Sequence, residues 1–71
     1  MDTILITTEY IKLDAFLKFC GAAETGGEAK LFISDGLVSV NGATCTQRGK
    51  KLRDGDTVQF GGRRYAVKRN P

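Results

Sequence analysis

The sequence predicts an α+β fold, with two short packed helices against a small, mostly antiparallel β-sheet. Three observations predict it. Leu13, Phe16, Leu17 and Cys20 recur at the i, i+3, i+4, i+7 spacing of one helix face. Thr25 followed by Glu28 is a capping box that opens a second helix. Beyond it, short apolar stretches alternate with the turn dipeptides Asn41-Gly42, Asp54-Gly55 and Gly61-Gly62.

In chain order, Thr3 to Thr8 is rich in β-branched residues and predicts an opening strand. The first helix is expected over Lys12 to Cys20, stopped by Gly21. After the short connection Ala22 to Glu24, the second helix starts at the Thr25 cap. Its apolar stripe is Ala29, Phe32 and Ile33, and Gly36 fits the left-handed position that ends it. About ten residues of helix do not persist alone, so packing must hold it.

Leu37 to Val40 predicts a strand with Val38 and Val40 on one face. Asn41-Gly42 suits a type I′ turn, which needs positive φ at both central residues, and Ala43 to Thr46 returns. Gln47 to Arg53 reads as a basic loop. Thr57 to Phe60 and Arg63 to Val67 form a second hairpin around Gly61-Gly62, with Val58, Phe60, Tyr65 and Val67 inward. Asn70-Pro71 is expected to fray.

With 71 residues the chain is expected to be one domain, spanning 1–71. A chain this short buries only about 60% of its unfolded surface, which leaves no room for an enclosed cleft of ordinary size. The apolar runs are far too short to cross a membrane. The Met1-Asp2 start lacks a signal-peptide pattern, so a cytoplasmic location is expected. Cys20 and Cys45 form no CxxC pair, and the sequence has no histidine to complete a zinc site. They read as two reduced, mostly buried thiols, although a bridge between them stays open. Without histidine there is no Ser-His or Cys-His pair, and no Walker-type or dinucleotide loop is present. The expectation is a protein that is not an enzyme and uses no cofactor, metal or small-molecule substrate.

The formal net charge of +3 hides a skew. Residues 1–36 hold six acids and three bases, while residues 37–71 hold two acids and eight bases. Such a skew suits a polyanionic partner. Two features could meet one. At Thr25-Gly26-Gly27 the helix start offers free amides and the positive end of the helix dipole, with Lys30 one turn in. Glu28 competes for that same end, and a plain cap explains the glycines equally well. The second feature is the run Arg48-Gly49-Lys50-Lys51-Leu52-Arg53, where four cations in six residues repel one another unless phosphates neutralise them. Its bland alternative is a solvated loop with Arg53 paired to Asp54 or Asp56. Arg63, Arg64, Lys68 and Arg69 on the last hairpin suit the charged strands that prevent edge aggregation. Phe19 is expected to flank the core, with stacking on an unpaired base as its alternative, and Leu31 to point away from the core.

These residues resemble the S4-like RNA-binding domain, built on the αL motif and named for a small-subunit ribosomal protein. That family opens one helix with Arg-Leu-Asp, matched here by Lys12-Leu13-Asp14. It opens the next with Ser-Arg-x-x-Ala, matched by Thr25-Gly26-Gly27-Glu28-Ala29. Phe32-Ile33, Gly36, Val38, Val40, Asn41-Gly42 and Gly55-Asp56-Thr57-Val58 continue the pattern in order. The compact form is similar to stand-alone bacterial members, the YaaA-like group. The resemblance implies a monomeric module that binds RNA, ribosomal or transfer RNA, in association with the ribosome. By position it implies RNA contacts from Lys12, Thr25, Gly26, Gly27, Lys30, Arg48, Lys50, Lys51 and Arg53. Gly26 departs from the family, since it stands where the helix-opening arginine is expected. The alternative function is a protein-interaction adaptor whose basic face meets an acidic partner.

Overall fold

The computed structural model describes residues 1–70. The elements are β1 (Asp2–Ile6), β2 (Ile11–Lys12), α1 (Leu13–Phe19), α2 (Gly26–Ser34), β3 (Val38–Val40), β4 (Ala43–Thr44), β5 (Lys51–Leu52), β6 (Thr57–Phe60) and β7 (Arg63–Arg69). This is the expected α+β architecture. The main sheet has five strands in the order β1-β7-β6-β3-β4. Its β1–β7 pair is parallel, with Ile4 opposite Val67, and the other three pairs are antiparallel.

Both hairpins form at the turns the sequence marks. Asn41 and Gly42 have φ of 51° and 84°, and Gly61 and Gly62 have 61° and 79°, as type I′ turns require. Val38, Val58, Tyr65 and Val67 are buried on one sheet face, where Leu13, Phe16, Leu17, Ala29 and Ile33 from the helices join the same core. Phe16 meets Tyr65 edge-on, with ring centroids 6.0 Å apart. Phe32 is only half-buried and stacks on Phe60 at 4.7 Å, closing one side of the core. Cys20 and Cys45 are free and half-buried, and burial pushes the Cys20 thiol up.

Three expectations about elements need correction. The first helix begins at Leu13, because Lys12 is extended (φ −73°, ψ 148°) and belongs to β2. Lys51 and Leu52, expected in a loop, form β5 and pair antiparallel with β2. Asn70 is tied down, since its amide donates to the Ile6 carbonyl at 2.8 Å. Pro71, the other residue expected to fray, lies outside the described residues.

The second helix starts at the expected Thr25 cap, and the Glu28 side chain reaches one residue further back than a capping box requires. Thr25 Oγ1 accepts from the Glu28 amide at 3.0 Å, and Glu28 Oε1 accepts from the Glu24 amide at 3.1 Å. Thr25→Ala is therefore expected to cost about 1 kcal/mol. In a domain of this size that lowers the midpoint of thermal unfolding by about 4–8 °C, which calorimetry would read directly. An unchanged midpoint would show that the cap is redundant.

Candidate nucleic-acid interface

The basic segment is structured from below by its one apolar residue. Leu52 is fully buried, at 0% exposure, and the cations around it are exposed. In the β2–β5 ladder, Ile11 stands opposite Leu52, and Lys12 opposite Lys51. Side chains alternate along a strand. Ile11 and Leu52 therefore face the core, while Lys12, Lys51 and the flanking Tyr10 and Arg53 share the outward face. The Tyr10 ring lies 4.8 Å from Lys51 Nζ and 5.7 Å from Arg53 Cζ.

The same segment caps the first helix. The Leu13 amide donates to the Lys50 carbonyl at 2.9 Å, and the Asp14 amide to the Arg48 carbonyl at 3.1 Å. No side chain caps α1. The loop's main chain satisfies amides that a Ser or Thr would otherwise take, and this pins Arg48 and Lys50 at the α1 start. Asp14 sits there as well, with Oδ1 accepting from the Ala15 amide at 2.7 Å.

A hydrogen-bond network fixes the other end of the segment. Asp56 Oδ2 accepts from the Arg53 amide at 2.7 Å, and its Oδ1 accepts from Asn41 Nδ2 at 3.0 Å. Asn41 Oδ1 in turn accepts from the Thr57 amide at 2.9 Å. Asp54 Oδ1 accepts from the Arg69 amide at 2.8 Å. Both carboxylates are thus engaged by main-chain donors, while the Arg53 guanidinium lies against Tyr10. The Val-Asn-Gly and Gly-Asp pieces of the sequence pattern, 15 residues apart, are bonded directly to each other.

Partial burial alone would raise the Asp56 carboxyl. The bonds from the Arg53 amide and Asn41, with the positive charges of Lys50 and Arg53, outweigh it and hold the group below the ordinary carboxylate range. A lowered folded value stabilises the fold above the unfolded-state pKa of about 3.9, and that contribution is lost as pH falls through the folded value. Asp56→Asn is therefore expected to be less stable than the native protein at pH 7, with the gap narrowing below about pH 4. Thermal unfolding between pH 2 and pH 7 reads this; a gap independent of pH would rule out the carboxylate's charge as its source.

Five of the nine residues singled out in the sequence thus gather about the β2–β5 ladder and the α1 start, namely Lys12, Arg48, Lys50, Lys51 and Arg53. Thr25, Gly26, Gly27 and Lys30 form a separate group at the α2 start. All four are exposed, and a Cβ built on Gly26 would meet nothing within 4 Å. Among the described residues no hydrogen bond joins this group to the basic segment. The loop sits at the start of α1, whereas α2 follows from its far end.

Tyr10 was missed by sequence reasoning. The signal that could have found it is period-two alternation, out-in-out, in both Tyr10-Ile11-Lys12 and Lys51-Leu52-Arg53. Phe19 does not flank the core as expected, being 62% exposed. Leu31 is exposed, as expected. Among the described residues no group of three or more His, Cys, Asp or Glu could hold a metal ion. No helix among them is long and apolar enough to cross a membrane.

Comparison with known proteins agrees with the resemblance. The S4 domain matches residues 4–68. RlbA of Bacillus subtilis (strain 168), provisionally named a ribosome maturation protein, is 44% identical over 61 residues, which cover 86% of each chain. YbcJ of Escherichia coli (strain K12), provisionally named an RNA-binding protein, is 38% identical over 58 residues, 82% of this chain and 83% of its own. An uncharacterized YbcJ of Shigella flexneri matches to the same extent. With the match spanning nearly the whole sequence and both helices and the sheet in place, this chain belongs to the S4 domain family.

Proposed function

We propose that the chain is a non-enzymatic, monomeric RNA-binding module that grips the phosphates of structured RNA, ribosomal or transfer. The observation that carries this reading is the outward face of the β2–β5 ladder. There Lys12 and Lys51 stand opposite each other, Arg53 follows, and Arg48 and Lys50 are held alongside by their carbonyls. Five cations on one small surface repel one another in the free protein. Phosphate neutralises them and releases counterions, which drives binding. The exposed α2 start, with Gly26, Gly27 and Lys30, supplies a second group of donors for the same backbone. The names of RlbA and YbcJ, one tied to ribosome maturation and the other to RNA binding, support this partner class.

Phosphate contacts set register and orientation, while shape rather than base edges sets preference. In this reading the module acts by binding alone. Fluorescence anisotropy with bulk transfer RNA and with a transcribed ribosomal RNA helix tests the reading. Engagement of about five phosphates gives a log affinity that falls with log salt at a slope near −3.5 to −4.5. A slope near zero with both RNAs would overturn the reading. The exposed Phe19 and Leu31 favour a second one, an adaptor for an acidic protein. Pull-down of a protein partner that survives nuclease treatment, with no RNA shift, would establish that alternative.

A further inference from the structure

We infer that Tyr10 is a positioning residue that arranges Lys51 and Arg53 for phosphate contact; the inference rests on the RNA-binding reading above. Tyr10 lies immediately before β2 on the ladder's outward face, one step beyond the Ile11–Leu52 pair and so across from Arg53. Its ring holds Lys51 Nζ at 4.8 Å and Arg53 Cζ at 5.7 Å, both within the ~6 Å reach of a cation–π contact. Thr8 Oγ1 donates to the Tyr10 carbonyl at 2.8 Å and fixes the main chain that presents the ring.

Lys51 and Arg53 carry like charges on long, flexible side chains, and left alone they would splay apart. The negative face of the ring attracts both, so two cations are held near one centre before any ligand arrives. Ordering such side chains on binding carries an entropic cost, and ordering them beforehand removes it. Tyr10 is 36% exposed and is not part of the buried core.

The test uses Tyr10→Leu and Tyr10→Phe in the full chain, with bulk transfer RNA as probe. Tyr10→Leu is expected to weaken binding about threefold to tenfold, the size of one or two exposed cation–π contacts. Its salt slope should stay at the native value, because the charges remain. Tyr10→Phe, which keeps the ring, should bind as the native protein does. In a Lys51→Ala/Arg53→Ala background, Tyr10→Leu should add no further loss. A loss in that background equal to the loss in the native one would overturn the inference, since the ring would then touch RNA itself. Native affinity in Tyr10→Leu would overturn it too. Proton NMR of the free protein provides a readout without RNA. The side-chain CH2 resonances of Lys51 and Arg53 should be shifted upfield by the ring current, and the shift should persist in Tyr10→Phe and vanish in Tyr10→Leu. Missing shifts in the native protein overturn the positioning itself. Shifts without RNA binding overturn the reading it rests on, and with it the phosphate-facing role.

Discussion

Replacing Lys50, Lys51 and Arg53 together by alanine is expected to weaken RNA binding about a hundredfold near 0.1 M salt. It should also flatten the log–log salt slope by about 2 to 3 units. Each phosphate contact contributes about 0.7 to 0.9 to that slope, so three lost contacts set both numbers. The substitution leaves the fold in place for a specific reason. What these residues give the structure comes from their main chain: the Lys50 carbonyl caps Leu13, the Arg53 amide is held by Asp56, and Lys51 pairs with Lys12 through the β ladder. Alanine keeps all three. The three side chains are exposed, whereas Leu52 between them remains to anchor the segment. A matched triple, Arg63→Ala, Arg64→Ala and Lys68→Ala, alters charge on β7 and serves as control; its slope should change less. If the first triple retains native affinity and slope, the basic ladder is not the contact surface.

Phe16→Ala is expected to abolish cooperative unfolding at 25 °C. Phe16 is the largest of the fully buried side chains, at 0% exposure. It fills the space between α1 and the sheet, where its ring meets Tyr65. Truncating a buried phenylalanine costs about 3–5 kcal/mol, and a core of this size rarely supplies more than about 3–5 kcal/mol in total. The whole margin is therefore removed by one substitution. Urea titration followed by circular dichroism should show a broad slope without a baseline, and RNA binding should be lost with it. A sigmoidal transition with the native slope and a small midpoint shift would mean that the site collapses around the cavity. Phe16→Leu, which keeps most of the volume, should remain folded with a lower midpoint.

The parts of the fold that the sequence announces are those fixed by neighbours along the chain. Thr25 caps the Glu28 amide within one helical turn, Gly36 has φ of 75°, and Asn41-Gly42 turns as its residue types demand. The β2–β5 ladder was illegible as an element, because two residues per strand carry almost no propensity signal. It exists because Ile11 and Leu52 bury together, a contact between residues far apart in sequence. The α1 boundary was missed for a related reason, since its cap comes from the carbonyls of Arg48 and Lys50 rather than from a local side chain. The parallel β1–β7 pair likewise depends on the whole intervening chain.

At the candidate site, the cation run was visible as charge, and its gathering around Lys12 followed the resemblance. Tyr10 was overlooked, because its alternation with Ile11 and Lys12 acquires meaning only when strand pairing places the tyrosine across from Arg53. Phe19 was misjudged because a seven-residue helix buries only a narrow stripe.

The parallel pairing of β1 with β7 has a consequence for synthesis. β1 lies at the rim of the sheet, and among the described residues its one strand neighbour is β7, which comes last of the described strands. While the chain is still being translated, β1 has no neighbour, and β6 lacks its second one. The helices and the β3–β4 hairpin can form as each leaves the ribosomal tunnel, but the sheet closes only after Arg63–Arg69 has emerged. The five-stranded sheet therefore cannot be complete until β7 is available to join β1 to β6.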